Sequence, residues 1–354
     1  TLGGFLAGGA LGGIVFGMLS DRLGRKRTLS LTILFYSFFT FLSSFSQAWW
    51  HLAVLRFLVA MGVGGEWAVA TSLVAEVFPK KARAHVGGIF HASSVFGTYF
   101  AVLAGFFLIG NQAVQDYADR VELPSLPWRL GFALGVLPAF LILWIRASVR
   151  EPEEWESARE RSKEDKTQRM GVIWDLFRGK LAVRTFVGVT LATVGLATFW
   201  GTHIYGKNVM LEAAKERYVQ AEVEATGEEA TPEMRAAILE AESVPLKRWE
   251  MLGMFLVTTG GGIGLVMFGP ICQRIGRRKA FLFYHAGGLV SALLLFQLIQ
   301  GFSVIVVFLP IFGFLTLGMH AEYAIYFPEL YPTRVRGTGA GFCFNGGRIL
   351  AAPV

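Results

Sequence analysis

The stretch Gly17-Met-Leu-Ser-Asp21-Arg22-Leu-Gly24-Arg25-Lys26-Arg27 returns 252 residues later as Gly269-Pro-Ile-Cys-Gln273-Arg274-Ile-Gly276-Arg277-Arg278-Lys279. Each copy closes an apolar run and sets a cluster of positive charge just beyond it. Upstream, Gly8, Gly9 and Gly12 map onto Gly260, Gly261 and Gly264 at the same offset. A second pair, Glu76-Val-Phe-Pro79-Lys-Lys-Ala-Arg83 and Glu329-Leu-Tyr-Pro332-Thr-Arg-Val-Arg336, recurs at an offset of 253. Two unrelated motifs in almost one register point to an internal duplication of the chain.

The composition says what solvent the duplicated unit meets. Hydrophobic residues make up 53% of the 354 and charged residues only 17%, where a soluble domain carries about 25% charged. Ten apolar runs, roughly 1–20, 28–48, 52–76, 85–110, 128–146, 182–205, 250–270, 280–300, 302–327 and 337–354, each approach the ~20 residues that cross a hydrocarbon core as a helix. The expected fold class is all-α integral membrane.

Charge alternates between the loops. Those after spans one, three, five, seven and nine hold 23 of the 33 Lys and Arg residues. The opposite loops hold few, and the segment 206–246 carries nine acids against four bases. Short basic loops stay in the cytoplasm, so the basic side is expected to face inward across a plasma (inner) membrane. Basic residues spread over five membrane-flanking loops argue against nucleic acid as the partner of a chain with net charge +7. Within 206–246, 211–223 and 232–242 read as two short helices broken at Gly227, an insertion on the outer side.

The repeat register pairs span one with span seven and span three with span nine. The repeat is therefore six helices long, and its even number gives both halves the same orientation in the membrane. Spans six and five have no partners within the chain. The expectation is two parallel six-helix repeats, twelve spans when complete and ten visible here. It places an N-terminal bundle at 1–146, a cytoplasmic linker at 147–181 and a C-terminal bundle at 182–354, with the extracytoplasmic insertion 206–246 in the last.

Gly17, Asp21, Arg22, Gly24, Arg25 and Lys26 match the Gly-x-x-x-Asp-Arg-x-Gly-Arg-Arg/Lys loop, and the chain resembles the major facilitator superfamily over essentially its whole length. Arg56, the run Gly62-Val-Gly64-Gly65-Glu66-Trp67, the Glu-x-Φ-Pro-x-x-x-Arg pair and Phe342-Cys-Phe-Asn345-Gly-Gly-Arg348 resemble its proton-linked sugar, sialate and aromatic-acid branches. Arg150-Glu151-Pro152-Glu153 is similar to the Pro-Glu-Ser motif of sugar porters with the Pro/Glu order changed, which departs from a hexose transporter. The resemblance implies a conformational gate at Asp21, Arg22 and Arg25. Glu76 with Arg83 and Glu329 with Arg336 are expected to form matching charge clusters on the same face, beside Arg274 and Arg277 of the second copy. The competing reading makes the arginines topology anchors only.

Charges inside the spans are functional candidates, because an ionisable group at bilayer depth is costly. Glu66 lies about 21 Å along span three at ~1.5 Å per residue, and is a candidate either for carrying a proton or for a static ion pair with Arg56 or Arg348. Arg56, ten residues earlier on the same helix, is too distant for direct pairing. Arg348, with Asn345 in span ten, is placed to meet a substrate carboxylate or Glu66. Glu322 is a second intramembrane acid, and His320, two residues away, points elsewhere. His91, His203 and His285 each stand alone on an apolar span, where a packing role competes with proton transfer. Trp67 and Trp200 are candidates to stack on a ring.

The glycine-rich run 260–264 has no Gly-Lys-Ser/Thr after it, so close helix packing explains it better than a phosphate loop. No catalytic constellation, metal cluster or cofactor motif stands out, and an enzyme is not expected. The reading is a secondary transporter, a monomer working by alternating access, that moves a small organic acid or sugar-like solute by proton symport. A hexose facilitator, a drug/proton antiporter and a non-transporting solute sensor are the alternatives.

Overall fold

A backbone in hydrocarbon must satisfy its own hydrogen bonds, and this chain does so with helices. The computed structural model describes residues 2–109, 111–227 and 230–351. No strand occurs among the described residues. In order, the helices are α1 (Leu2–Leu23), α2 (Arg25–Ser43), α3 (Trp49–Val77), α4 (Lys80–Ala92), α5 (Ser94–Ala104), α6 (Gln112–Arg120), α7 (Leu126–Ala133), α8 (Leu141–Ser148) and α9 (Glu153–Glu164). They continue with α10 (Gly179–Thr198), α11 (Ile204–Thr226), α12 (Pro232–Ala241), α13 (Ser243–Ile275), α14 (Arg277–Leu293), α15 (Phe302–Gly318), α16 (His320–Leu330) and α17 (Arg336–Ala351).

Seven helical segments among the described residues are long and apolar enough to cross a membrane: Gly3–Leu23, Trp49–Val77, Leu126–Ser148, Gly179–Thr198, Arg248–Ile275, Arg277–Leu298 and Phe302–Leu330. They coincide with seven of the ten runs read from the sequence. The other three runs are helical too. Run 28–48 is helical as far as Ser43, in α2, which opens on Arg25, Lys26 and Arg27. Run 85–110 is divided between α4 and α5 at Ser93, and run 337–354 is α17, described as far as Ala351.

The chain divides into two compact units, one of residues 2–87, 96–196 and 323–351, the other of 88–95 and 197–322. In the first, α1 packs against α3 and α17, with α2 alongside α3. In the second, α13 packs against α15, flanked by α11 and α14.

The duplication is visible in how each unit packs. A Cβ on Gly8 or Gly12 of α1 would strike the carbonyls of Phe57 and Met61 on α3. A Cβ on Gly260 or Gly264 of α13 would strike those of Pro310 and Phe314 on α15. The glycines are 252 residues apart and the carbonyls 253, the offsets of the two sequence motifs. Hydrocarbon gives helices no hydrophobic reason to associate, so close backbone approach over small residues holds each pair. Both first helices also turn into the next through one glycine at positive φ, Gly24 (108°) and Gly276 (83°), a conformation L side chains avoid.

Burial is inverted relative to a soluble globule. Asp21, Arg25, Ser20 and Thr338 are fully buried, while Phe100, Leu143, Phe186 and Val307 lie exposed. Exposed apolar surface on that scale suits lipid and not water. The segment read as an insertion also differs from expectation. No residue between 179 and 226 breaks the helix, so α10 passes through a π turn at Phe199–His203 directly into α11. The first of the two helices therefore begins well before residue 211. It stops at Gly227, φ 73°, and α12 starts with the Thr231 hydroxyl accepting from the Met234 amide at 3.2 Å.

Overpacking a helix contact costs about 1–3 kcal/mol, and a backbone carbonyl cannot swing aside as a side chain can. Gly12→Val and Gly264→Val are expected each to lower the melting temperature of the detergent-solubilised protein and its monodisperse yield by size exclusion. Gly3→Val, where nothing lies within 4 Å of the added carbon, leaves both unchanged.

Candidate functional site

The loop between α1 and α2 turns too tightly for α2 to cap itself. The carboxylate of Glu151 does it instead, accepting from the amides of Arg25 (2.8 Å), Lys26 (3.2 Å) and Arg27 (3.4 Å), where a helix presents unpaired N–H groups and positive potential. Arg25, so fixed at the start of α2, turns its side chain inward and uses all five of its donors. Nε and Nη2 grip the Glu76 carboxylate at 2.9 and 2.7 Å. Nη1 donates to Asp21 at 2.6 Å and Ser20 at 3.0 Å, and Nη2 also reaches the Thr333 carbonyl at 3.0 Å. Burial by itself would pull the Arg25 guanidinium down, and the Glu76 and Asp21 carboxylates more than reverse it, so Arg25 stays charged.

Asp21 does for α17 what Glu151 does for α2. Its oxygens accept from the Gly337 amide (3.0 Å), the Thr338 amide (2.8 Å) and the Thr338 hydroxyl (2.6 Å), an anion seated on a helix N-terminus. The residue thus joins the motif loop of the first repeat to span ten of the second. Trp155 of α9 donates its indole N–H to the Asp21 carbonyl at 2.8 Å, and Arg22 reaches the carbonyls of Met170 and Gly171.

The two Glu/Arg pairs expected from the motifs are exchanged. Glu76 takes Arg336, at 3.1 Å, and Arg83 approaches Glu329 at 3.9 Å. Each glutamate meets the arginine of the other repeat. Arg25 already grips both Glu76 oxygens, and Arg336 shares Oε1 with it. Glu154 of α9 bridges the set, 2.9 Å from Arg336 and 3.8 Å from Arg83. In the second unit Arg274 and Arg277 lie on exposed surface, and Gln273 stands where Asp21 stands in the first.

A second cluster in the first unit lies deeper, between α3 and α17. Trp67 stacks on Phe344, ring centroids 3.9 Å apart and planes 18° apart. Arg348 lies with Cζ 5.1 Å from the Phe344 centroid, and close enough to α1 that a Cβ on Gly9 would sit 2.6 Å from Nη1. Asn345, one turn before Arg348 on α17, donates to the Gly341 carbonyl at 2.9 Å. Three buried polar atoms here have no hydrogen-bond partner among the described residues: Trp67 Nε1, Asn345 Oδ1 and Arg348 Nε. Groups of this kind are normally satisfied when buried. Glu66, next to Trp67, is half-buried and forms no ion pair or hydrogen bond among the described residues, so the static pair with Arg56 or Arg348 is not formed. Arg56 is exposed, 5.7 Å from the Phe5 ring.

The second unit gathers histidines that the sequence reads as isolated. The ring of His91 is 6.2 Å from that of His320, and Phe199 meets His320 edge-on at 4.6 Å. His285 Nδ1 lies 3.2 Å from Glu322 Oε1. The side chains of Trp200 and His203 lie outside the described residues. The sequence reading missed Ser20, Thr338, Glu154 and Trp155. Of these only Trp155 carries a signal, an aromatic residue alone in a charged segment.

Long apolar helices, a duplicated gate-like loop and partnerless polar groups inside the helices are the features of a membrane transporter. The family described as Major Facilitator Superfamily matches residues 1–353, and the chain belongs to it. The cis,cis-muconate transport protein of Acinetobacter baylyi is 29% identical over 99% of this chain and 75% of its own length. The sialic acid transporter NanX of Escherichia coli is 26% identical over 97% and 73%. The crystal structure of a double-tryptophan mutant of XylE shares the fold, with a TM-score of 0.59 at 16% identity over 99% of this chain and 75% of that one. The protein is a multi-pass integral membrane transporter of small metabolites, not an enzyme.

Two outcomes follow from the charge network. Arg25→Ala strands two buried carboxylates and is expected to cost about 3–5 kcal/mol, seen as a large fall in melting temperature that Arg56→Gln does not cause. In a double-mutant cycle on the same readout, Glu76→Gln with Arg336→Gln couples by about 0.5–3 kcal/mol.

Proposed function

We propose that this transporter is a proton symporter of small organic carboxylates, and that Arg348 and Trp67 receive the substrate. The observation that carries the reading is the set of polar atoms on Trp67, Asn345 and Arg348 with no partner among the described residues, beside an aromatic stack. A half-buried guanidinium whose buried Nε has no acceptor among the described residues is costly and a carboxylate offsets that cost, while the Trp67 and Phe344 faces suit a planar, unsaturated or ring-bearing body. The names of the muconate and sialic acid transporters, both of which move carboxylates, support the same class.

Charge balance supplies the coupling. Arg348 and an ionised Glu66 together are neutral; an incoming carboxylate leaves the site one negative charge in excess. A proton on Glu66 removes that excess, so proton and substrate each favour the binding of the other. Alternating access then follows from rocking of an N-terminal bundle, 1–146, against a C-terminal bundle, 182–354, joined by the linker 147–181. The bonds from Asp21 to the start of α17 form the gate that must break when the cytoplasmic face opens. The basic loops face the cytoplasm across a plasma (inner) membrane, the acidic segment 206–246 faces outward, and the monomer is the working unit.

The test uses the complete protein in proteoliposomes, with labelled cis,cis-muconate, sialic acid and a neutral hexose, with and without an inward proton gradient. Gradient-driven carboxylate uptake is expected. Glu66→Gln abolishes the driven component and keeps counterflow; Arg348→Ala weakens the apparent affinity by tenfold or more, about 1.4 kcal/mol per decade. Gradient-independent flux of the hexose alone would leave a facilitator, and no flux of any solute would leave a sensor.

A further inference from the structure

The second unit buries an acid–base pair that the carboxylate reading does not use. Glu322 sits in the first turn of α16 with its side chain 0% exposed, and neither carboxylate oxygen accepts a hydrogen bond among the described residues. His285 of α14 comes closest to it, with Nδ1 3.2 Å from Oε1. The same Nδ1 lies 3.0 Å from the Phe281 carbonyl. A carbonyl only accepts, so Nδ1 carries a hydrogen and stands between two acceptors.

The surroundings offer the carboxylate little else. Tyr284, the neighbouring phenol on α14, spends its hydroxyl on the Gly264 carbonyl of α13 at 2.8 Å. Helix α15 carries no titratable side chain, and α13 none between Met251 and Ile271. On α16 itself the other titratable groups are His320, which faces His91 and Phe199, Tyr323, which stacks on Phe327, Tyr326, and Glu329 near the far end of the helix, 3.9 Å from Arg83. A bare carboxylate is heavily penalised in such a setting unless a positive charge or a proton accompanies it.

We propose that Glu322 and His285 form a proton-binding site of the second unit, separate from Glu66 and loaded through the imidazole. His285 keeps 24% of its side-chain surface exposed while Glu322 has none, so the ring is the way in. A proton arriving on Nε2 makes an imidazolium beside a carboxylate. Passing the Nδ1 hydrogen to Oε1 leaves a neutral imidazole, protonated on Nε2, beside a neutral acid. One proton enters, none is lost, and the pair is neutral in both forms. The site stands whether or not the transported solute is a carboxylate.

The experiment is a substrate-free infrared titration of the complete protein in liposomes, following the carbonyl stretch of protonated carboxyl groups from acid to alkaline pH. Glu322→Gln is expected to remove a titrating band that Glu66→Gln leaves in place. Glu322→Asp restores a band, showing that its loss is not misfolding. His285→Gln moves the midpoint of the Glu322 band by about one pH unit or more. Survival of every band in Glu322→Gln, or an unmoved midpoint in His285→Gln, overturns the proposal. Carboxylate flux measured on the same liposomes separates the two readings: without flux but with these bands, the symport reading falls and the proton site stands.

Discussion

Arg25 has five N–H donors and, once buried, must place all of them. Two go to Glu76, one to Asp21, one to Ser20 and one to a carbonyl near the start of α17. That demand draws α1, α2, α3 and the turn before α17 to a single point, and it explains why Gly24 must be glycine and why Glu151 must come from the linker to cap α2. A lysine has neither the planar fork nor enough donors to do this. The rest of this end of the first unit is arranged around that guanidinium.

The exchange of arginines between the two Glu/Arg motifs follows from the same constraint. Arg25 takes both oxygens of Glu76, Arg336 shares Oε1 with it, and Arg83 turns to Glu329 and Glu154. An ionic cluster built from both repeats holds them together only while every member is satisfied, since a partly satisfied buried network is worse than none.

Low dielectric makes the unsatisfied groups as informative as the satisfied ones. Trp67, Asn345 and Arg348 are held by packing, on Phe344 and against the glycines of α1, with polar atoms left over. Glu322 is held the same way beside His285. Stability alone would remove such groups from a helix interior, and function is the ordinary reason for keeping them.

Much of this was legible from the residues in order. Apolar run lengths, the alternation of charged loops and the duplicated motifs determine helical spans, the family and the candidate residues, because lipid forces helices on any chain of this composition and a repeated motif forces a repeated packing. Gly12 and Gly264 already mark where helices touch. What the order of residues does not contain is which charges meet. Glu76 with Arg336, Asp21 with the start of α17, His285 with Glu322, and the absence of a partner for Glu66 among the described residues depend on helices distant in sequence arriving at the same depth and rotation. Helix periodicity specifies the face of each residue along its own axis; only the packing of one axis on another decides what that face meets.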